Sequence, residues 1–279
     1  MLPLSQTGVF FWSWKQALQS CRKPVTFLPF AGYAMVQLLV LAGLFLFIHP
    51  PFSLIFLPLQ RALFGEEALH YPNNFIFMPQ MFEILNVALS AVLGILVVGW
   101  ATVLFFRNSD AQPSKRDTVS VRKRYFHLLG AWASETGLMF VIIFGFVWLA
   151  KKVPDVATYL TAARAFGVIL ISAIFAFATA LILLENKPFW SALTQSVKMF
   201  AGYALVTLFL VGLPTILQLP VQFLLSNSAK IIRRLNPEVI TFVIAGGVFA
   251  ATLSNYFIIG TVTHLYRGIS REARAAAPR

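Results

Sequence analysis

The chain has 279 residues, of which 58% are hydrophobic and only 11% charged, with 28 phenylalanines and a formal net charge of +12. An ordinary soluble domain carries about 25% charged residues, so the deficit excludes a cytosolic globular domain and a disordered chain alike. The expected class is an all-α integral membrane protein forming one membrane domain over residues 1–279, because the apolar runs are continuous and lack the alternation of a transmembrane barrel.

The N-terminal segment reads as an amphipathic interfacial helix. Phe10, Trp14, Ala17, Leu18 and Cys21 share one face, and Lys15, Gln16, Gln19, Arg22 and Lys23 the other. Basic residues ahead of an apolar run also describe a secretion signal. Here the run is too long for a signal core and no small-x-small site closes it before His49-Pro50-Pro51, so the first helix is expected to be retained. Cys21 is the only cysteine, which leaves no intramolecular disulfide and no Cys-based zinc site. Beside Arg22 and Lys23 it is an acylation candidate in a eukaryote, against the plainer role of a small apolar residue facing lipid or core.

A charged side chain at the bilayer centre costs several kcal/mol, so the uncharged intervals bracket the spans. A crossing of about 30 Å needs roughly 20 apolar residues, and the intervals predict six transmembrane helices, at residues 27–48, 84–106, 128–150, 166–184, 203–225 and 239–263. After the first span, residues 49–83 form an outer segment. Within it 52–64, with Pro58 and Arg61, is too short to cross and suits a re-entrant or interfacial piece. The third span reaches full length only by extending back past Glu135, the one carboxylate expected inside a span. There it would be a proton carrier, a cation ligand or a hydrogen-bond anchor. If that helix starts near Ser134 instead, Glu135 sits in a first turn at the headgroups, near Arg122, Lys123 and Arg124.

A second amphipathic helix precedes the fifth span. Pro188 sits at its start, and Phe189, Trp190, Leu193, Val197 and Phe200 oppose Ser191, Gln195 and Lys198. The fifth span contains Gly212, Pro214 and Pro220 and is expected to kink or break at its prolines, with Gln218 and Gln222 placed to satisfy freed carbonyls. The basic, apolar run Lys230 to Leu235 reads as a short amphipathic turn. In the sixth span the series Gly246, Ala250, Ser254 and Gly247, Ala251, Asn255 allow close backbone approach, which suggests a place near the bundle centre. Asn255 and His264 are its polar candidates, with Asn86 and Gln37 on earlier spans, and each taken singly reads as an interhelical hydrogen bond.

Six crossings put both termini on one side, which holds fifteen of the 22 Lys and Arg residues and the other side seven. The positive-inside bias therefore predicts cytoplasmic termini, with 268–279 a cytoplasmic tail. The basic excess is accounted for by topology and attraction to anionic lipid headgroups, and no recognition module points to nucleic acid.

A repeat underlies the spans. Phe30-Ala31-Gly32-Tyr33-Ala34-Met35-Val36 matches Phe200-Ala201-Gly202-Tyr203-Ala204-Leu205-Val206 at six of seven positions. Upstream, Trp14-x-x-Ala17-Leu18-x-x-Cys21 matches Trp190-x-Ala192-Leu193-x-x-Ser196 with a one-residue gap, and Leu129-Gly130-Ala131 suggests a third copy. The implied units are about 9–107, 119–185 and 186–267, each an amphipathic helix followed by a transmembrane hairpin in parallel orientation. These Trp-Ala-Leu segments, each leading into a glycine-containing apolar helix, resemble a broad group of prokaryotic membrane proteins that includes the membrane domain of some glycerophosphodiester phosphodiesterases. The resemblance implies a prokaryotic inner-membrane location; lacking a soluble catalytic domain, this chain inherits no catalytic residue from it.

Four histidines, no HExxH, no GxSxG and no P-loop leave no catalytic constellation, and no cofactor or metal is expected. The expected function is that of a non-enzymatic accessory, assembly or membrane-organising factor with a possible protein partner in the membrane. The alternative is a transporter or lipid-translocating protein with a cavity near the third, fifth and sixth spans.

Overall fold

The computed structural model describes residues 6–108 and 121–276, so Lys115, Arg116 and Arg279 of the charge argument lie outside the described residues. Every regular element described is helical. In order they are α1 (Gln6–Ser20), α2 (Pro24–Phe45), α3 (Ser53–Phe64), α4 (Asn73–Leu89), α5 (Ile95–Asn108), α6 (Tyr125–Lys152), α7 (Ala157–Phe175), α8 (Ala178–Leu184), α9 (Phe189–Gly202), α10 (Ala204–Ile216), α11 (Leu219–Ser226), α12 (Ser228–Arg234) and α13 (Val239–Ala276).

Five stretches are long and apolar enough to cross a membrane: Pro24–Phe45, Asn73–Asn108, Val121–Lys152, Tyr159–Leu184 and Val239–Ser270. The pair α9 and α10, bent by 99°, makes a sixth if counted as one. Several boundaries differ from the charge-bracket reading, and the fourth stretch reaches back past Arg164 to Tyr159. The second helix runs back to Asn73 because Glu83 is exposed on a helix whose preceding turns, Phe75 to Phe82, are themselves apolar; a charge limits hydrophobic length, not helix length. The fifth divides into α10 and α11. The helix ends at Ile216, the amide of Gln218 donates to the Thr215 carbonyl at 3.0 Å, and Pro220 opens α11, where its missing N–H costs nothing. Pro214 itself stays inside α10. The sixth continues past Thr263 to Ala276, since no helix breaker follows until Pro278.

The chain divides into two compact units. One comprises Met1–Pro29, Ile95–Pro214 and Tyr256–Arg279. Within it residues 260–267 of α13 are buried all the way round, as expected of a core helix. A Cβ on Gly260 would lie 3.1 Å from the Phe105 ring and 3.5 Å from Cβ of Ala17, so glycine there lets α1 and α5 close on α13. The break between α7 and α8 contains no proline. Ser196 of α9 donates to the Ile174 carbonyl across 2.6 Å, satisfying an acceptor that the break exposes. The α6–α7 hairpin leaves Val141, Phe144 and Trp148 exposed, a surface suited to hydrocarbon rather than water.

On α1 and α9 the buried face is not the one that the sequence pattern reads as apolar. On α1 the buried residues are Val9, Ser13, Ala17 and Ser20, while Phe11 and Leu18 are exposed, as is Cys21 just after the helix. On α9 they are Ala192 and Ser196, with Trp190 and Val197 outside. Small side chains permit the close approach that bulky ones would block, so size and not hydrophobicity chooses the packing face.

The second unit comprises Phe30–Gly94 and Thr215–Asn255, with Leu41, Leu44, Phe75, Met78, Met81 and Ile244 in its core. Here α13 buries Ile240, Ile244, Val248 and Thr252, four apart, while Gly246 faces open space. The expected outer segment is largely helical: α3 ends at Gly65, whose φ of +79° favours glycine, and Arg61 pairs with Glu66 at 2.7 Å.

Candidate functional site

Polar side chains within apolar helices are the natural place to look for chemistry, because each is costly unless paired. In the first unit His264, 1% exposed, lies with Nε2 3.4 Å from Oγ of Ser20 and has the rings of Trp12 and Phe105 at its edges. Arg267, one turn on and also buried, is its charged neighbour. The Ser20 hydroxyl donates to the Gln16 carbonyl at 2.9 Å, so its proton points away from the imidazole. A serine oriented that way is an acceptor for the ring N–H and not a nucleophile facing its base. The contact ties α1 to α13. Below it Tyr256 shares a 3.1 Å hydrogen bond with Thr26, whose Oγ1 also lies 2.8 Å from the Lys23 carbonyl in the turn between α1 and α2.

Glu135 is placed two to three turns into α6, within the apolar stretch Val121–Lys152, and its carboxylate hydrogen-bonds with Ser172 of α7. A helix starting near Ser134, with Glu135 in its first turn, is overturned, since α6 begins at Tyr125. A charged knot closes the loop before α9: Tyr266 donates to Glu185 at 2.5 Å, Glu185 pairs with Lys187 at 2.6 Å, and Lys187 in turn donates to Gln195. Arg124 donates to the carbonyl of Asn186 at 3.2 Å, and Asn186 occupies the left-handed backbone region that asparagine tolerates.

The second unit holds a four-residue polar network. Gln37 Nε2 donates to Asn86 Oδ1 at 2.5 Å, Tyr33 Oη lies 2.8 Å from Ser90 Oγ, and a longer 3.5 Å contact joins Tyr33 to Asn86. Ser90 opens a five-residue π-helical segment, Ser90–Gly94, a geometry that widens a helix by one residue and recurs at functional positions. Tyr33 and Gln37 are four apart on α2, as are Asn86 and Ser90 on the second helix, so each pair forms one stripe.

Of the residues singled out from sequence, Glu135 and His264 thus lie in interhelical contacts of the first unit, Asn255 is exposed on α13, and Pro214 and Pro220 flank the break between α10 and α11. Gln37 and Asn86, read separately from sequence, meet. Ser20, Ser172 and Tyr33 are not polar candidates from sequence, and Ser90 reads there only as a small packing residue with Gly94; the i, i+4 spacing of Tyr33 with Gln37 and of Asn86 with Ser90 is the available signal. Among the described residues no three His, Cys, Asp or Glu side chains gather as a metal site would require.

Comparison with protein-family models, with curated proteins and with solved structures finds no match for this chain.

Proposed function

We propose that the chain is a non-enzymatic integral membrane protein of a prokaryotic inner membrane, acting as an accessory, assembly or membrane-organising factor. In this reading six crossings form three hairpins, each led by an amphipathic helix at the cytoplasmic boundary, and both termini are cytoplasmic. One observation carries it: three sets of polar groups on the long apolar helices are engaged with one another across helices, His264 with Ser20, Glu135 with Ser172, and Gln37 and Tyr33 with Asn86 and Ser90. Pairing of this kind holds helices together and uses up the donors and acceptors that a substrate would need. The resemblance to prokaryotic membrane proteins, which rests on the two Trp-Ala-Leu segments, agrees with the proposed location.

The test is mass spectrometry of the full chain extracted into native lipid discs, with proteins and lipids quantified together. A near-stoichiometric protein partner is the expected result, and recovery of the chain alone or with one enriched lipid or solute favours the transporter. Solute flux in proteoliposomes that falls on Glu135→Gln would overturn the reading in favour of a transporter, for which the helix break between Pro214 and Pro220 and the Glu135 carboxylate on an apolar helix are the structural arguments.

A further inference from the structure

The outward face of α1 combines groups that neither water nor hydrocarbon accommodates together. Phe11, Lys15 and Leu18 follow one another at helical spacing along the exposed side, with Phe11 64% and Leu18 53% exposed, and Arg22 continues that side from the turn after α1. With Trp14 and Gln19 they border a groove of about 370 Å³. Lys23, which points elsewhere, is spent on the Asn108 carbonyl at 2.7 Å. Among the described residues Lys15 and Arg22 make no ion pair and no hydrogen bond through their side chains. The indole N–H of Trp14, in the groove wall, is buried without a hydrogen-bond partner.

We propose that this face of α1 is a seat for one anionic phospholipid, with the headgroup phosphate between Lys15 and Arg22 and the first methylenes of an acyl chain against Phe11 and Leu18. The inference rests on the reading above, which places α1 at the membrane boundary. Two cations seven residues, about two turns, apart complement a single phosphodiester through their long side chains, and the guanidinium of Arg22 can hold two of its oxygens. Gln19, between them, faces the glycerol level, where hydroxyl and ester oxygens need donors and acceptors. Large apolar side chains alternating with cations match only the depth at which an acyl chain meets its phosphate. The groove on α9, lined by Ser191, Thr194, Gln195, Lys198 and Met199, carries a single cation and serves as the internal contrast.

The test is native mass spectrometry of the full-length protein in mild detergent, titrated with short-chain phosphatidylglycerol, phosphatidylcholine or inorganic phosphate. Wild type should take one phosphatidylglycerol with roughly thirtyfold preference over phosphatidylcholine, the size expected for two cations acting at a headgroup. Lys15→Gln with Arg22→Gln should abolish that preference, Phe11→Ser with Leu18→Ser should weaken both lipids alike, and Lys198→Gln should change neither. Because these side chains are exposed, unchanged helical circular dichroism certifies the fold of each variant. Equal binding of the two lipids by wild type, an undiminished preference in the double cation variant, or displacement of the lipid by millimolar inorganic phosphate would each overturn the seat. None of these outcomes bears on whether the protein has a partner or supports flux, so the broader reading stands or falls separately.

Discussion

At the scale of single residues, the network Tyr33, Gln37, Asn86 and Ser90 sets a measurable energy. Interhelical hydrogen bonds in membranes average about 0.6 kcal/mol and reach about 1.7 kcal/mol. A double-mutant cycle of Gln37→Leu and Asn86→Leu, read by reversible unfolding in detergent, is expected to give a coupling of about 0.5 to 2 kcal/mol. A coupling near zero would mean that the 2.5 Å contact contributes no net stability. Tyr33→Phe, which removes only the hydroxyl, is expected to cost less than Asn86→Leu, because Asn86 accepts from two side chains. The residue scale is also where sequence alone stopped. Gln37 and Asn86 are each one polar residue in a long apolar run, and nothing local says which partner lies opposite; only their i±4 companions mark the facing stripes.

At the scale of elements, helix α13 separates two kinds of glycine. Gly260→Val should press on the Phe105 ring and on Ala17 and destabilise the first unit by about 1–3 kcal/mol, the usual cost of overpacking. Gly246→Val, in open space, should be close to neutral, and a thermal-shift comparison of the two variants checks the pair. From the sequence the small-residue series reads as contact positions at both Gly246 and Gly247; a Cβ on Gly247 would lie 3.0 Å from Val221, whereas Gly246 faces open space and the buried stripe beside it is Ile240, Ile244, Val248 and Thr252. Existence and approximate place of the long helices were legible because apolar length has one physical meaning in a bilayer. Their facing sides were not, since apolar residues line both the lipid side and the core side and amphipathicity no longer distinguishes them. The same ambiguity explains α1, whose inward stripe of Ser13, Ala17 and Ser20 is less apolar than its outward Phe11 and Leu18.

At the scale of the whole molecule, the lone and exposed Cys21 makes the proposed orientation directly testable. A membrane-impermeant maleimide should label Cys21 in inverted vesicles and not in intact spheroplasts. A cysteine introduced by Ser226→Cys in a Cys21→Ser background should label in the opposite pattern. Labelling of both from one side would overturn the six-span topology. Large exposed apolar side chains on α6 and α7, such as Phe144, Trp148 and Phe166, add that the protein in detergent should bind a belt of amphiphile over this hairpin.

The contact of Ser20 with His264 spans 244 positions of sequence, which sets a timetable for synthesis. At roughly 5–20 residues per second a ribosome takes on the order of 12–50 s between them. Throughout that interval α1 has been made but its partner helix has not, and the stripe of Ser13, Ala17 and Ser20 lacks the surface against which it packs. A nascent chain stalled before residue 260 therefore presents an unclosed helix to the quality-control proteases of the membrane, and a premature stop anywhere in that stretch is expected to leave no stable fragment rather than a shortened functional one.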